Sequence, residues 1–418
     1  MMFSRRGIFR NLRYLLIFVA ALSVTALLFT VGDIRNVFGR KSDYRSLGFH
    51  INGEPSIGAK HHGNNNSDSR QPSRMRTQIA VDVHELGLNQ PLTKCLALKD
   101  IPHLVNDRPM NLTAGIPMHE LERTIFPDHP ERIRDVVSRG NRELLSLLYT
   151  AANSPQINGS LIMEGLASLQ VRSGDYHYLP GGHWRPASCV PTWKVAIVVP
   201  YRNRTVQLSI FLRYMIPFLQ KQQLEFAIYI VNQESDISFN RGMLLNVGFL
   251  EALNFSHWDC FVFHDVDHLP QSEFNPYGCV DLPRHFIGGA DNRNYKVPYS
   301  TSFGGVNGFT TPQFWQINGF PNVYWGWCCE DDDLEVRVRT ARLKKTRYAG
   351  TVGYYKAIRI HHDKIKKGLG ELEKTNRVFL KTLRSRLKTD GLNNLKYDTP
   401  HLELHALYTN ISVNIKHS

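Results

Sequence analysis

Two short acidic stretches hold the side chains best suited to chemistry. In HDVDH, residues 264–268, Asp265 and Asp267 stand two apart behind an apolar run. Residues at that spacing on an extended strand project to the same side, so the two carboxylates are expected to converge on one cation. Hard oxygen donors suit Mg²⁺ or Mn²⁺, and such ions bridge a protein to a diphosphate. In WGWCCEDDDLEVRV, residues 325–338, a Trp-Gly-Trp turn and two adjacent cysteines precede Glu330, Asp331, Asp332 and Asp333. Like charges at adjacent positions repel, which raises the pKa of one carboxyl and sharpens it as a base. The same acids suit the first turn of an amphipathic helix, expected over DDDLEVRVRTARL.

The elements that must position these groups alternate in type. KVAIVVPY is apolar and β-branched, the pattern of a buried parallel strand. A helix is expected over TVQLSIFLRYMIPFLQKQQ, kinked or stopped early at Pro217, followed by a second strand, FAIYIVNQ. MLLNVGFLEAL reads as a helix, and DCFVFHDVDHLP as a third strand running into a loop. This βαβαβ order predicts ligand binding outside the carboxyl ends of the strands. Arg202 and Arg204 follow the first strand, and Phe239 and Arg241 precede the second helix. Arginines there complete a clamp on phosphates. No internal repeat and no glycine-rich Walker loop occurs.

The N-terminus sets the expected compartment. Arg5, Arg6, Arg10 and Arg13 precede an uncharged run from Tyr14 to Val31, long enough to cross a thin bilayer. The reading is a cytoplasmic tail (1–13), a transmembrane signal anchor (14–31), a polar luminal stem (32–91) and one globular catalytic domain (92–418). Sequons at Asn65, Asn111, Asn158, Asn254 and Asn410, and six cysteines, fit a secretory route. The net charge of +13 alone would suggest nucleic acid, but in a luminal protein it assists encounters with anionic sugar nucleotides or membrane surfaces. No nucleic-acid partner is expected.

VAIVVPYRNR, FNRGMLLNVGF, FVFHDVDHLP, FGGVNGFT, INGFPNVYWGW, EDDDLEVRV and DGLNNLKY together resemble the β-1,4-galactosyltransferase family of the Golgi lumen. The chain looks most like the branch that galactosylates glucosylceramide and like invertebrate β-1,4-N-acetylgalactosaminyltransferases. The resemblance implies an α/β GT-A fold, a Rossmann-like mixed sheet flanked by helices, behind a single transmembrane helix and flexible stem. It implies Mn²⁺, a UDP-sugar donor, a glycan or glycolipid acceptor, and an inverting mechanism. By position, Pro200, Tyr201, Arg202, Arg204, Phe239, Arg241, Asp265 and Val266 would hold the donor, and Asp267 the metal. Asp331, with Glu330 beside it, matches the catalytic base. Tyr299, Ser302, Gly305, Tyr324, Trp325, Trp327 and Asp332 match the acceptor and sugar site. Cys95 with Cys189, and Cys260 with Cys279, match the family disulfides.

Three departures bear on that expectation. Cys328-Cys329 stands where the family usually has Gly-Gly, either as free thiols or as a vicinal disulfide. In KAIRIHHDK, Ala357 and Ile360 occupy the family's methionine and first histidine ligand positions, leaving His362, with His361 second, to complete the metal site. Ser302 replaces a bulky tyrosine and leaves room for an N-acetyl group on the donor. The expected function is transfer of galactose in β-1,4 linkage to a terminal GlcNAc or glucose from a Golgi-anchored luminal domain. GalNAc transfer is the close alternative, and a catalytically silent sugar-binding homologue the second.

Overall fold

The computed structural model describes residues 92–153, 161–360 and 370–417. The expected anchor and stem, and His361 and His362, lie outside the described residues. Among the described residues no helix is long and apolar enough to cross a membrane.

The core begins with three strands that are parallel and buried on both faces. β1 (Lys194–Tyr201) lies between β2 (Glu225–Gln233) and β3 (Cys260–His264), in parallel register with each. Their continuous apolar runs have no polar face to show to water, as a sheet covered on both sides requires. α1 (Thr205–Lys221) links β1 to β2, and α2 (Arg241–Phe255) links β2 to β3. α2 settles closely onto the sheet because Gly248 offers no Cβ, which would stand 2.4 Å from Val198 Cγ1. Asn240 caps α2, its side chain accepting from the Met243 N–H at 2.9 Å while donating to the Asn322 carbonyl at 2.7 Å.

Two expectations about elements are corrected. α1 runs through Pro217 and ends a turn later at Lys221, so the early stop expected at that proline does not occur. Its two last turns are anchored by buried Met215, Ile216, Phe218 and Leu219, so packing offsets the hydrogen bond that proline cannot make. β3 stops at His264, and Asp265 to Asp267 form a turn before β4 (His268–Pro270). The two aspartates are therefore not presented by strand alternation.

The sheet then becomes mixed. β5 (Val306–Thr310) pairs antiparallel with β3. α3 (Glu330–Thr340) follows the Trp-Gly-Trp turn, and β6 (Tyr354–Ala357) pairs antiparallel with β4 in a small separate sheet. After α4 (Gly370–Lys381), β7 (Thr409–Val413) returns to the main sheet, parallel to β2. Disulfides join Cys95 to Cys189 and Cys260 to Cys279, the pairings implied by the resemblance, and Cys328 is joined to Cys329.

Candidate active site

Arg241, the first residue of α2, lies between the turn after β3 and the N-terminus of α3. Its Nε donates to Asp265 Oδ1 at 2.7 Å, and its Nη1 lies 3.8 Å from Glu330 Oε1. Burial opposes its charge, but Asp265 and Glu330 outweigh that, so the guanidinium is held above its ordinary pKa. A fixed cation thus ties the acids of the first stretch to those of the second. After β1, Asn203 adopts a left-handed φ of 51°, a turn that separates Arg202 from Arg204. Arg202 Nη1 donates to the Ser235 and Ile237 carbonyls, and its guanidinium lies over the Phe239 ring at 5.4 Å. Arg204 Nη1 is buried with no hydrogen-bond partner among the described residues, a donor suited to an anionic ligand. Pro200 and Tyr201 end β1, and Val266 is buried in the turn between the aspartates.

Donor atoms of Asp265, Asp267 and His268 lie within 4.8 Å of one another, a group able to hold a metal ion. Convergence comes from the turn, pinned by the Asp265 N–H to the Gly305 carbonyl at 3.0 Å and by the Ile358 N–H to the Asp267 carbonyl at 2.8 Å. His268 Nδ1 sits 2.9 Å from Asp267 Oδ1; burial lowers its pKa, but Asp267 raises it further, leaving it above the usual histidine value. Its place in HDVDH was visible in the sequence, but no role followed from it. Ala357 is buried, its N–H donating to Asp291 Oδ1, and the Ile360 side chain packs against the core, so neither offers a ligand.

The four consecutive acids divide into four environments. Glu330 faces Arg241; burial first, then the Asp331 charge, pushes its pKa up to about 7. Asp331 lies against Gly304, where a Cβ would stand 2.4 Å from Asp331 Oδ2, so only glycine lets the carboxylate approach this backbone. Its pKa is raised by burial and by Asp332. Asp332 accepts from the Tyr299 hydroxyl at 2.7 Å, and Tyr299 is itself 43% exposed. Asp333 turns inward to Arg337 Nε at 2.7 Å and the Tyr324 hydroxyl at 2.9 Å.

The aromatic residues differ in their exposure. Trp327 is 47% exposed, whereas Trp325 is buried beside the His417 ring, with centroids 4.0 Å apart. Tyr324, expected in the sugar site, is buried with its hydroxyl spent on Asp333, so it supports α3 from within. Ser302 is buried, and its carbonyl accepts from Arg347 Nη2 and from Lys345 Nζ at 3.4 Å. Gly305, at φ +81°, supplies the carbonyl that holds Asp265. Asn376 on α4, which no sequence signal marked, is buried and donates to the Trp325 and Trp327 carbonyls at 2.9 and 3.0 Å.

Comparison with known proteins gives this arrangement a family. Residues 151–280 match the family model described as the N-terminal region of glycosyl transferase group 7, and residues 284–363 match that described as the N-terminal domain of galactosyltransferase. β-1,4-Galactosyltransferase 4 of Cricetulus griseus is 42% identical over 264 residues, 62% of this chain and 75% of that protein. The chain belongs to the β-1,4-galactosyltransferase family. Human β-1,4-galactosyltransferase 6 is 51% identical over 247 residues, 59% of this chain and 63% of the relative's length. Mouse β-1,4-galactosyltransferase 5 is 49% identical over 236 residues, 56% of this chain and 59% of that protein. A structure of Drosophila β-1,4-galactosyltransferase 7 with manganese, UDP-Gal and xylobiose is 30% identical, covering 54% of this chain and 95% of that one, with a TM-score of 0.45. Within this β-1,4-galactosyltransferase family chain, the matched segments run through all three strand ends and the N-terminus of α3.

Proposed function

We propose that the chain is a metal-dependent inverting glycosyltransferase that moves galactose from UDP-galactose in β-1,4 linkage to a terminal GlcNAc or glucose of a glycoprotein or glycolipid. The single observation that carries this is the bridge through Arg241, which sets a carboxylate group for a metal–diphosphate on one side and half-buried carboxyls on the other. Asp267 with Asp265 and His268 would hold Mn²⁺, whose hard-ion chemistry their oxygen-rich donor set fits. When bound, the ion offsets charge on the leaving diphosphate. Arg202, Arg204 and Arg241 orient the donor by the clamp geometry of guanidinium and phosphate.

Asp331 takes the proton from the attacking acceptor hydroxyl, on the face opposite the departing UDP. Burial and Asp332 raise its pKa, which makes it a stronger base than an exposed aspartate. Glu330 shares that burial and stays close to Arg241. Tyr299 and Trp327, both partly exposed, offer aromatic faces to the sugar rings. A reading as an inactive sugar-binding homologue is disfavoured by the retention of Asp265, Asp267, Glu330 and Asp331 around Arg241. We also place the site in the Golgi lumen, on the strength of the apolar run 14–31 and the sequons.

A second donor is favoured by one observation. Ser302 carries a smaller side chain than the tyrosine many family members have there, Phe303 is directed into the core against His285 and Phe309, and Tyr299 is engaged with Asp332. UDP-GalNAc is therefore a credible donor beside UDP-galactose. The test is the purified chain with Mn²⁺, a panel of UDP-sugars, and acceptors ending in GlcNAc or glucose. Transfer from UDP-galactose or UDP-GalNAc that stops with chelator supports the proposal; bound UDP-sugar with no product on any acceptor overturns it.

A further inference from the structure

The bond between Cys328 and Cys329 sits directly before Glu330, and no other described disulfide adjoins α3 in the sequence. We propose that it is a site of reversible thiol–disulfide exchange that sets the geometry of the Trp327–Asp331 segment; the effect on transfer rests on the function proposed above. Cys328 and Cys329 have φ values of 80° and 88°, the left-handed region that favours glycine. A residue with a Cβ pays for that conformation at each position, and two in succession persist only where something else holds them. The disulfide supplies that hold. Cys329 is also the N-cap of α3 and makes no side-chain cap hydrogen bond, so the start of the helix depends on the backbone path through this pair.

Reduction removes the restraint and adds a steric demand. Two sulfurs no longer bonded must separate to a non-bonded distance of roughly 3.5 Å or more. Cys329 is 3% exposed, so its side chain has little room to turn, and the backbone must give instead. Three contacts depend on that backbone. The Asp333 N–H donates to the Cys329 carbonyl at 3.0 Å, the Gly326 N–H donates to Phe239 at 2.7 Å, and Asn376 reaches the Cys328 carbonyl at 3.5 Å. Glu330 and Asp331 follow within two residues, so relaxation here moves the carboxyls that face Arg241 and Gly304.

The exchange balances with a thiol as the reductant. A thiolate attacks the partly exposed Cys328 sulfur, the S–S bond breaks, and Cys329 leaves as a thiolate that takes a proton. A second thiolate attacks the mixed disulfide and releases Cys328 as a thiol. Two thiols are oxidised to one disulfide, and the protein gains two protons and two electrons. Of the other disulfides, Cys260–Cys279 is buried at both ends, whereas Cys95–Cys189 also joins a buried and a half-buried cysteine and is kept in the control variant below.

The test compares wild type with Cys328→Gly/Cys329→Gly, in which the φ values are permitted without a crosslink. Each is treated with dithiothreitol under native conditions, desalted anaerobically, and read by alkylation mass spectrometry, amide hydrogen exchange over residues 325–333, and transfer kinetics. Reduced wild type is expected to label both cysteines, exchange faster at Gly326 and Asp333, and lose roughly tenfold to a hundredfold in kcat/KM, the scale of about 1 Å of misplacement. The double-glycine variant should keep its exchange and its activity through the same treatment, and reoxidation should restore the wild type. Native resistance of the bond to the dithiol, reduction with unchanged exchange, or an equal loss in the glycine variant each overturns the proposal. Absence of transfer in the oxidised wild type counts against the transferase reading alone, because the exchange measurement still decides the switch.

Discussion

Asp333→Asn separates the acid that builds the site from those that work in it. The Asp333 and Arg337 side chains are 0% and 1% exposed, and Arg337 Nε donates to Asp333 Oδ1 at 2.7 Å. The asparagine is close in volume and keeps an oxygen for the Tyr324 hydroxyl, so packing changes little. It removes the charge opposite a guanidinium that cannot reach water. A charge-assisted hydrogen bond contributes about 1.5–3 kcal/mol, and breaking one partner of a buried pair costs about 3–5 kcal/mol because the other charge is left uncompensated. Asp390 Oδ2, 3.8 Å from Arg337 Nη2, compensates in part. The expected loss is therefore at the lower end, about 3 kcal/mol. Urea unfolding of the purified chain, followed by tryptophan fluorescence, should show the midpoint fall with little change in slope. Transfer below the unfolding range should stay within about threefold of wild type, since Asp333 faces away from Arg241. A stability loss under about 1 kcal/mol, or a large loss of kcat in a variant as stable as wild type, would refute this division of roles.

The working acids should respond differently. Asp331→Asn should retain UDP binding while losing roughly a hundredfold or more in kcat; near-normal turnover in a stopped assay would remove it as the base. Asp267→Asn should weaken Mn²⁺-dependent UDP binding by calorimetry, and an unchanged metal requirement would take it out of the metal group. For Glu330, a folded pKa raised to about 7 means its stability contribution is full below its unfolded value and is lost as pH rises through 7. Glu330→Gln should thus be more stable than wild type at pH 8, with the difference vanishing near pH 4; melting-temperature differences that do not vary with pH would contradict this. Ser302→Tyr should shift the ratio of kcat/KM for UDP-GalNAc over UDP-galactose down by roughly ten- to a hundredfold, the effect of overpacking by about 1–3 kcal/mol, and an unchanged ratio would make the serine a spacer.

Local pattern was enough to place the scaffold. Apolar runs ending at Tyr201, Gln233 and His264 can satisfy their backbones and bury their side chains only as covered parallel strands. Their order therefore put Arg202, Arg204, Arg241 and Asp265 at one edge before any contact was known. What spacing misjudged were the places where a non-local contact overrides a local rule. Pro217 stays within α1 because four buried apolar side chains surround it. Asp265 and Asp267 converge through a turn held by Gly305 and Ile358, which are distant in sequence. Four adjacent acids look alike in one dimension. Helical rotation sends one to Arg241, one to Gly304, one to Tyr299 and one to Arg337, and so gives them different partners, exposures and uses. Asn376 lies some fifty residues from the carbonyls it binds, and an amide on an amphipathic helix carries no mark of its destination. Residue types and order determined which chemistry this chain holds, because hydrophobic periodicity is a local property. Which partner each carboxyl meets is decided by tertiary structure, because desolvation and the nearest opposite charge depend on what folds over each group.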